Sequence, residues 1–291
     1  MPTLVTRDHR VYAFASGMSP VERVPAGATV VFQTCDCYDG QVALDTDRPR
    51  DDQRDRSRSN PATGPVFVEG AKRGDMIVAR IEKVDLAPRG LLFGNDRGHT
   101  VRAGHVIEVA DGVAKLPGGI RWPVDPVVGV IGVAPPEGSI PNSTPGDHGG
   151  NLDTPDVKGG SVVYLPVFEE GGLFALGDIH ALQGDGEVCG QGIEIAGEVT
   201  VQLQVMKGRI AGGPIIQTPA HWAVIASAED LDEAVDLALL RARDFVMSFL
   251  EVKDPEAIML LSTLADVRIS QIVNPLKTVR VCIPRRLLPA V

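Results

Sequence analysis

Two runs of this chain are apolar on both side-chain parities: Val127–Ala134 and Leu173–Gln183. Successive side chains of a strand point to opposite faces, so a strand with one wet face alternates and a strand that does not must be covered on both. The chain therefore has to build a layered β structure with at least two strands inside it. The run 173–183 adds a second demand. Asp178 and His180 sit two apart within it, on one face, flanked by Phe174, Leu176 and Leu182. Buried polar groups of this kind need each other, further side chains or a cation.

The remaining segments support a β-rich chain. Thr29–Tyr38 is rich in β-branched and aromatic residues, Pro65–Val68 is a short strand, and Met76–Leu86 a long one. HVIEVADGVAKL reads as a hairpin about Asp111-Gly112, within an otherwise irregular stretch, 88–125, that carries His99 and His105. Ser161–Phe168 is a further strand. Residues 192–205 alternate, with Ile193, Ile195, Val199, Val201, Leu203 and Val205 on one face and Glu194, Glu198, Thr200, Gln202 and Gln204 on the other. The 32 glycines and 22 prolines fit many turns and short strands. Helical spacing appears late. Leu231, Val235, Ala238, Ala242, Phe245 and Phe249 form a stripe in Glu229–Leu250, with Ser227 and Asp230 as capping residues. A second helix starts at Asp254-Pro255, with Asp254 as cap, and runs to about Leu264; residues 267–284 return to strand. The expected fold is mainly β with a late helical pair (α+β). It forms one unit over 1–291, built from two intimately joined parts, β-rich 1–206 and α+β 207–291.

A formal net charge of −10 argues against nucleic acid as a partner. No apolar run reaches membrane-spanning length, and the first residues lack the apolar core of a signal peptide, so the expectation is a cytoplasmic protein without a membrane partner. Cys35, Cys37, Cys189 and Cys282 are too few and too scattered for a disulfide framework, and read as small buried thiols. No dinucleotide or phosphate-cradling motif is present.

Chemistry concentrates in two places. In the first, a metal resolves the cost of burying Asp178 and His180, because it accepts carboxylate and neutral imidazole together. Asp185 and Glu187 follow across a glycine-rich turn. Asp185-Gly186 also suits a plain hairpin turn, whereas Glu187 is not needed by the turn and is the candidate general acid–base. The second place is DHGGNLD, 147–153, in a Pro- and Gly-rich loop directly before the candidate strand. It offers His148 and Asp153 as ligands, with Asn151, and Gln183 from the first cluster, as substrate-holding amides. Asp36, between two cysteines at a strand end, is a further candidate ligand. The expected metal set is Asp36, His148, Asp153, Asp178 and His180, with Glu187 and Asp185 as catalytic carboxylates. Zinc is the first expectation for the ion, and the oxygen-rich loop suits a second, harder cation such as calcium. Two alternatives stay open: Cys189 as a thiol nucleophile, and a binding protein without turnover. The charged stretch 45–60 has no drawable core face and reads as a solvated loop beside the site.

Several of these motifs, in this order, resemble the acetamidase/formamidase family: QTCDCYDGQV, NPATGPVFVEGAKRGD, GVIGVAPPEGSIPNSTPGDHGGNLD and VYLPVFEEGGLFALGDIHALQGDGEVCGQGIE. The resemblance covers about Val30 to Val205. It implies a β-sandwich or barrel architecture, a divalent metal, a homo-oligomer, and hydrolysis of short aliphatic amides to carboxylate and ammonia. Asp36, His148, Asp153, Asp178, His180 and Glu187 fall within its polar motifs.

Overall fold

The structure is a computed structural model that describes residues 1–46, 48–94, 103–208 and 211–288. His99 lies outside the described residues. The strands that position the site are β1 (Ala28–Thr34), β2 (Ala62–Val68), β3 (Met76–Gly94), β4 (Val127–Gly132), β5 (Gly149–Asn151), β6 (Val162–Pro166), β7 (Phe174–His180), β8 (Glu194–Met206), β9 (Ile215–Gln217) and β10 (His221–Ala228). Two helices follow, α1 (Leu231–Phe249) and α2 (Asp254–Leu264), then β11 (Asp266–Gln271) and β12 (Lys277–Pro284). The mainly β fold with a late helical pair is the one found.

β7 lies at the centre. It pairs antiparallel with β4, β2 and β8, and every one of its residues is buried. β4 is buried along its whole length too. These are the two runs without alternation. Phe32, Ile131, Leu165, Phe174, Ile179, Ile195 and Val199 belong to the larger core around them. A second core gathers on Trp222 of β10, whose ring lies 5.5 Å from Phe245 and 6.4 Å from Phe249 of α1. Hydrogen bonding runs through from one to the other, because β6 pairs with β3 on one side and β9 on the other.

Two expectations need correction, the irregular stretch and the barrel. Residues 88–94 are not irregular: β3 runs on past Pro88 to Gly94, because a register shift against β8 between Leu86 and Gly90 accommodates the proline at a bulge. The segment 267–284 is strand as expected, in two antiparallel strands joined by a turn. The sheet does not close into a barrel; among the described residues β11 pairs with β12 alone, apart from an isolated bridge from Gln271 to Gly186.

The helix starts also shift. Ser227 lies in β10 and bonds Thr278 Oγ1 at 3.0 Å, so Asp230 alone caps α1, accepting from Asp232 N at 2.8 Å. Asp254 is the first residue of α2 rather than its cap, and Glu256 accepts from Lys253 N at 2.7 Å. Asp230→Ala is expected to lower stability by about 1 kcal/mol, the usual worth of such a cap, as a fall in urea midpoint with unchanged slope.

Candidate active site

His180 ends β7 directly opposite Glu194, which begins β8. Its Nδ1 lies 2.9 Å from Gln183 Oε1, an acceptor, so Nδ1 carries the proton and Nε2 is left facing inward. Around Nε2 stand four carboxylate oxygens: Glu194 Oε2 at 3.3 Å, Asp178 Oδ1 at 3.5 Å, and Asp153 Oδ1 and Glu187 Oε1 at 4.0 Å. All five residues are buried. Cys37 lies beside Asp178 and Glu194 within ligand reach.

Two of these carboxylates are oriented in the same way. Asp178 accepts from Asn60 Nδ2 on Oδ2, at 2.9 Å, and leaves Oδ1 without a partner. Asp153 accepts from Asn274 Nδ2 on Oδ2, at 2.7 Å, and likewise leaves Oδ1. Glu194 Oε2 is also unpartnered. Buried polar atoms are rarely left bare, and three bare carboxylate oxygens converging on one imidazole nitrogen mark the place of a cation or of shared protons.

The backbone holds this arrangement under strain. Asn60, Asp153, Asp178 and Glu187 all take positive φ, 49°, 42°, 55° and 47°. Such residues cluster where a scaffold over-determines a site. At Gly129, opposite this part of β7, a Cβ would sit 2.6 Å from Asp153 Oδ1, so the position requires glycine. The C-terminal part supplies the remaining clasp. Gly186 N bonds Ile269 O at 3.0 Å, seating the turn that carries Glu187. Gln271 Oε1 accepts from Asn274 N at 2.9 Å, which presents Asn274 to Asp153.

The electrostatics follow from crowding. Burial pushes the Glu194 carboxyl up to about 8 and the Asp153 carboxyl up to about 6. Burial, with the charge of Asp153 added, holds Glu187 well above the usual carboxylate range. Burial alone would depress His180, but Glu194 and Asp178 outweigh it and raise the imidazole well above its ordinary value. Without a cation the cluster holds protons in its place. The donor set, one imidazole with carboxylates and an adjacent thiol, suits a divalent ion.

The cluster opens to a cavity of about 310 Å³ lined by Asn151, Asp153, Asp178, Glu187, Glu194 and Asn274 on its inner side. Tyr38, Arg54, Arg56 and Ser59 line it further out.

Not every expected residue belongs here. His148 does not: its carbonyl accepts from Val133 N, beyond the far end of β4 from Val127, the partner of His180. Six residues of strand separate the two, roughly 20 Å at about 3.3 Å per residue. Its ring packs edge-on against Phe14, and burial lowers it to about 4. Asp36 is turned to its own loop, where Oδ1 accepts from Tyr38 N at 2.8 Å and Gly40 N at 3.2 Å; it shapes the turn that carries Cys37 and Tyr38 to the cavity. Asp185 pairs with Arg280 Nη2 at 2.6 Å and is half exposed, a structural contact rather than a catalytic one. Gln183 faces His180 and the Asp153 carbonyl (2.6 Å) and is absent from the cavity lining, so it positions these residues instead of binding substrate. Asn151 does line the cavity, with Oδ1 unpartnered. Cys189 sits outside the cluster, its thiol directed at Gln191 O at 3.5 Å. Glu194, Asn60, Asn274 and Cys37 were not expected.

The family model of the acetamidase/formamidase family matches residues 137–288. The chain belongs to this family. A crystal structure of an acetamidase from Bacillus halodurans is 38% identical, with a TM-score of 0.92 and coverage of 97% of both chains. A predicted acetamidase/formamidase from Thermoanaerobacter tengcongensis is 39% identical, with a TM-score of 0.94 over 99% of this chain and 97% of that one. A putative formamidase of Schizosaccharomyces pombe is 28% identical over 72% of this chain and 66% of its own length. The chain spans less than two thirds of the curated relatives' length in these matches. In this acetamidase/formamidase family member, no helix among the described residues is long and apolar enough to cross a membrane.

A separate polar cluster ties the C-terminal part down. Asp156 Oδ2 accepts from Arg280 Nε at 2.9 Å and lies 3.0 Å from His221 Nε2. The bond to Asp156 raises His221 to about 9 from its ordinary 6.5. A folded value above the unfolded one means stability fully present below pH 6.5 and lost as pH rises through 9. Urea midpoints at pH 6 and pH 9.5 are expected to show this loss in the wild type and not in His221→Gln, by no more than about 1 kcal/mol for a half-buried pair.

Proposed function

We propose that this protein is an amidase that hydrolyses short aliphatic amides, with a divalent cation held by His180, Asp178, Asp153 and Glu194. The observation that carries the reading is the set of three unpartnered buried oxygens around His180 Nε2. Family membership supports the amide as substrate. Cys37 would stand beside the ion as a softer donor, which favours zinc over calcium. When bound, such a cation supplies Lewis acidity that polarises a carbonyl and acidifies water.

The chain's own residues do the rest. Asn151 offers its unpartnered Oδ1 at the cavity wall for the substrate's carboxamide. Glu187 takes the proton released as water adds to the amide carbon and returns it to the nitrogen, which then leaves as ammonia. Burial, with Asp153 beside it, raises this carboxyl, the direction that suits a group that must both take and give a proton. Asn60 and Asn274 keep Asp178 and Asp153 aimed while charge moves. Gln183 fixes the His180 tautomer, so Gln183→Leu is expected to weaken metal affinity by about 10–100-fold in a competition titration, with the fold intact.

The test is ammonia release from formamide, acetamide and propionamide, with elemental analysis of the same preparation. Turnover with near-stoichiometric divalent metal supports the reading. Stoichiometric metal with no ammonia from any amide would make this a binding protein.

A further inference from the structure

The amidase reading leaves part of the cavity unexplained. A space of about 310 Å³ lies in the range of small-molecule sites, with room for more than the four heavy atoms of acetamide. Its inner wall is carboxylates and amides. Its outer wall is basic, and it comes from the charged stretch 45–60. Three arginines stand close together there, and they differ in what they already hold. Arg58 is consumed by Asp39, which it meets through Nε and Nη2. Arg54 lies over the Tyr38 ring, 4.9 Å from its centre, and is braced by Nη1 on Ser59 Oγ at 2.7 Å. Its Nε is ion-paired with the buried Asp51 at 3.6 Å, and no hydrogen bond is made there, so the rest of the guanidinium is what faces a ligand's charge. Arg56 lines the cavity and is in no ion pair among the described residues.

A solvated loop would not need Arg54 pinned between an aromatic face and a serine. Braced in this way, Arg54 stands in the cavity wall beside Arg56, and guanidinium is the side chain suited to a planar carboxylate. On the amidase reading the inner end takes the carboxamide, which leaves an anionic end of the same molecule at the arginines. The cavity is thus polarised along its length: a neutral carboxamide is favoured inside and an anionic group outside.

Resting on the amidase reading, we infer that the preferred substrates are ω-amidic acids, short chains with a carboxamide at one end and a carboxylate at the other, with Arg54 and Arg56 receiving the carboxylate. Water adds to the amide carbon, the C–N bond breaks, and the products are a dicarboxylate and ammonium. No co-reactant is needed.

Succinamate and butyramide, of similar length and differing in charge, decide it against acetamide as reference. Succinamate is expected to exceed butyramide in kcat/KM by about tenfold, the worth of one partly buried charge-assisted contact. That ratio is expected to collapse in Arg54→Gln/Arg56→Gln and to shrink with added salt. Arg56→Glu, at an exposed position that does not disturb packing, is expected to invert it. Butyramide equal to or better than succinamate, or a ratio unmoved in Arg56→Glu, overturns the inference while acetamide turnover leaves the amidase reading standing. Absence of ammonia from all three amides is the separate failure of that reading. Calorimetric binding of succinamate but not butyramide would then keep the anion site, and equal binding of both would remove it.

Discussion

His180→Ala is expected to lower kcat/KM for acetamide by at least about 100-fold and to leave the protein without bound divalent metal. The imidazole is the one nitrogen donor among carboxylates, and its Nε2 is the point on which Asp153, Asp178 and Glu194 converge. Removing it leaves those oxygens facing one another across a void, where they can only take up protons. Glu194→Gln is expected to act in the same direction, because it removes the closest of the four oxygens, at 3.3 Å, while preserving volume. A buried core histidine without a ligand role predicts something different: lower stability, with kcat/KM changed severalfold at most. Metal content and kinetics measured on protein shown to be folded by its thermal transition separate the two.

Arg280→Met is expected to produce the largest loss of stability, about 3–5 kcal/mol, as is usual when one partner of a buried ion pair is removed. Arg280 is 2% exposed and holds Asp156 at 2.9 Å, Ser270 Oγ at 3.1 Å and Asp185 at 2.6 Å. Without it, Asp156 remains buried with only His221 as a counter-charge. Asp185→Asn makes a useful contrast. Its side chain is 46% exposed, so the expected cost is below about 1 kcal/mol, and amide turnover should persist. Urea unfolding of both variants, with ammonia release for Asp185→Asn, tests the assignment of Asp185 to structure rather than chemistry. A hundredfold loss of activity in a stable Asp185→Asn protein would return it to the site.

What could be read from the chain follows from what depends on local pattern. Val127–Ala134 and Leu173–Gln183 had to be covered on both faces, and β4 and β7 are. Asp178 and His180, two apart in such a strand, had to meet, and their atoms lie 3.5 Å apart. Glu194 was hidden by the same logic. Alternation places it with Glu198, Thr200, Gln202 and Gln204 on a polar face, and only the pairing of His180 with Glu194 turns it inward. Register between strands is not written in either strand alone. Asn274 reaches the site through a turn organised by Gln271, and Asp185 meets Arg280 across 95 positions; neither has a local signal. His148 misled because its loop composition suits a ligand, while the docking of β5 on β4 carries it away from His180. The positive φ values at Asp153, Asp178 and Glu187 belong to the same class of hidden feature, since they reflect what the surrounding strands impose rather than what those residues prefer.

The central claim is that the carboxylates around His180 hold a divalent cation that amide hydrolysis requires. The most direct measurement is ammonia release from acetamide by one preparation as isolated, after stripping with a chelator, and after return of zinc, with metal content determined at each stage. The account predicts activity that falls with the metal and recovers as about one ion per chain returns. Full activity in metal-free protein would contradict it.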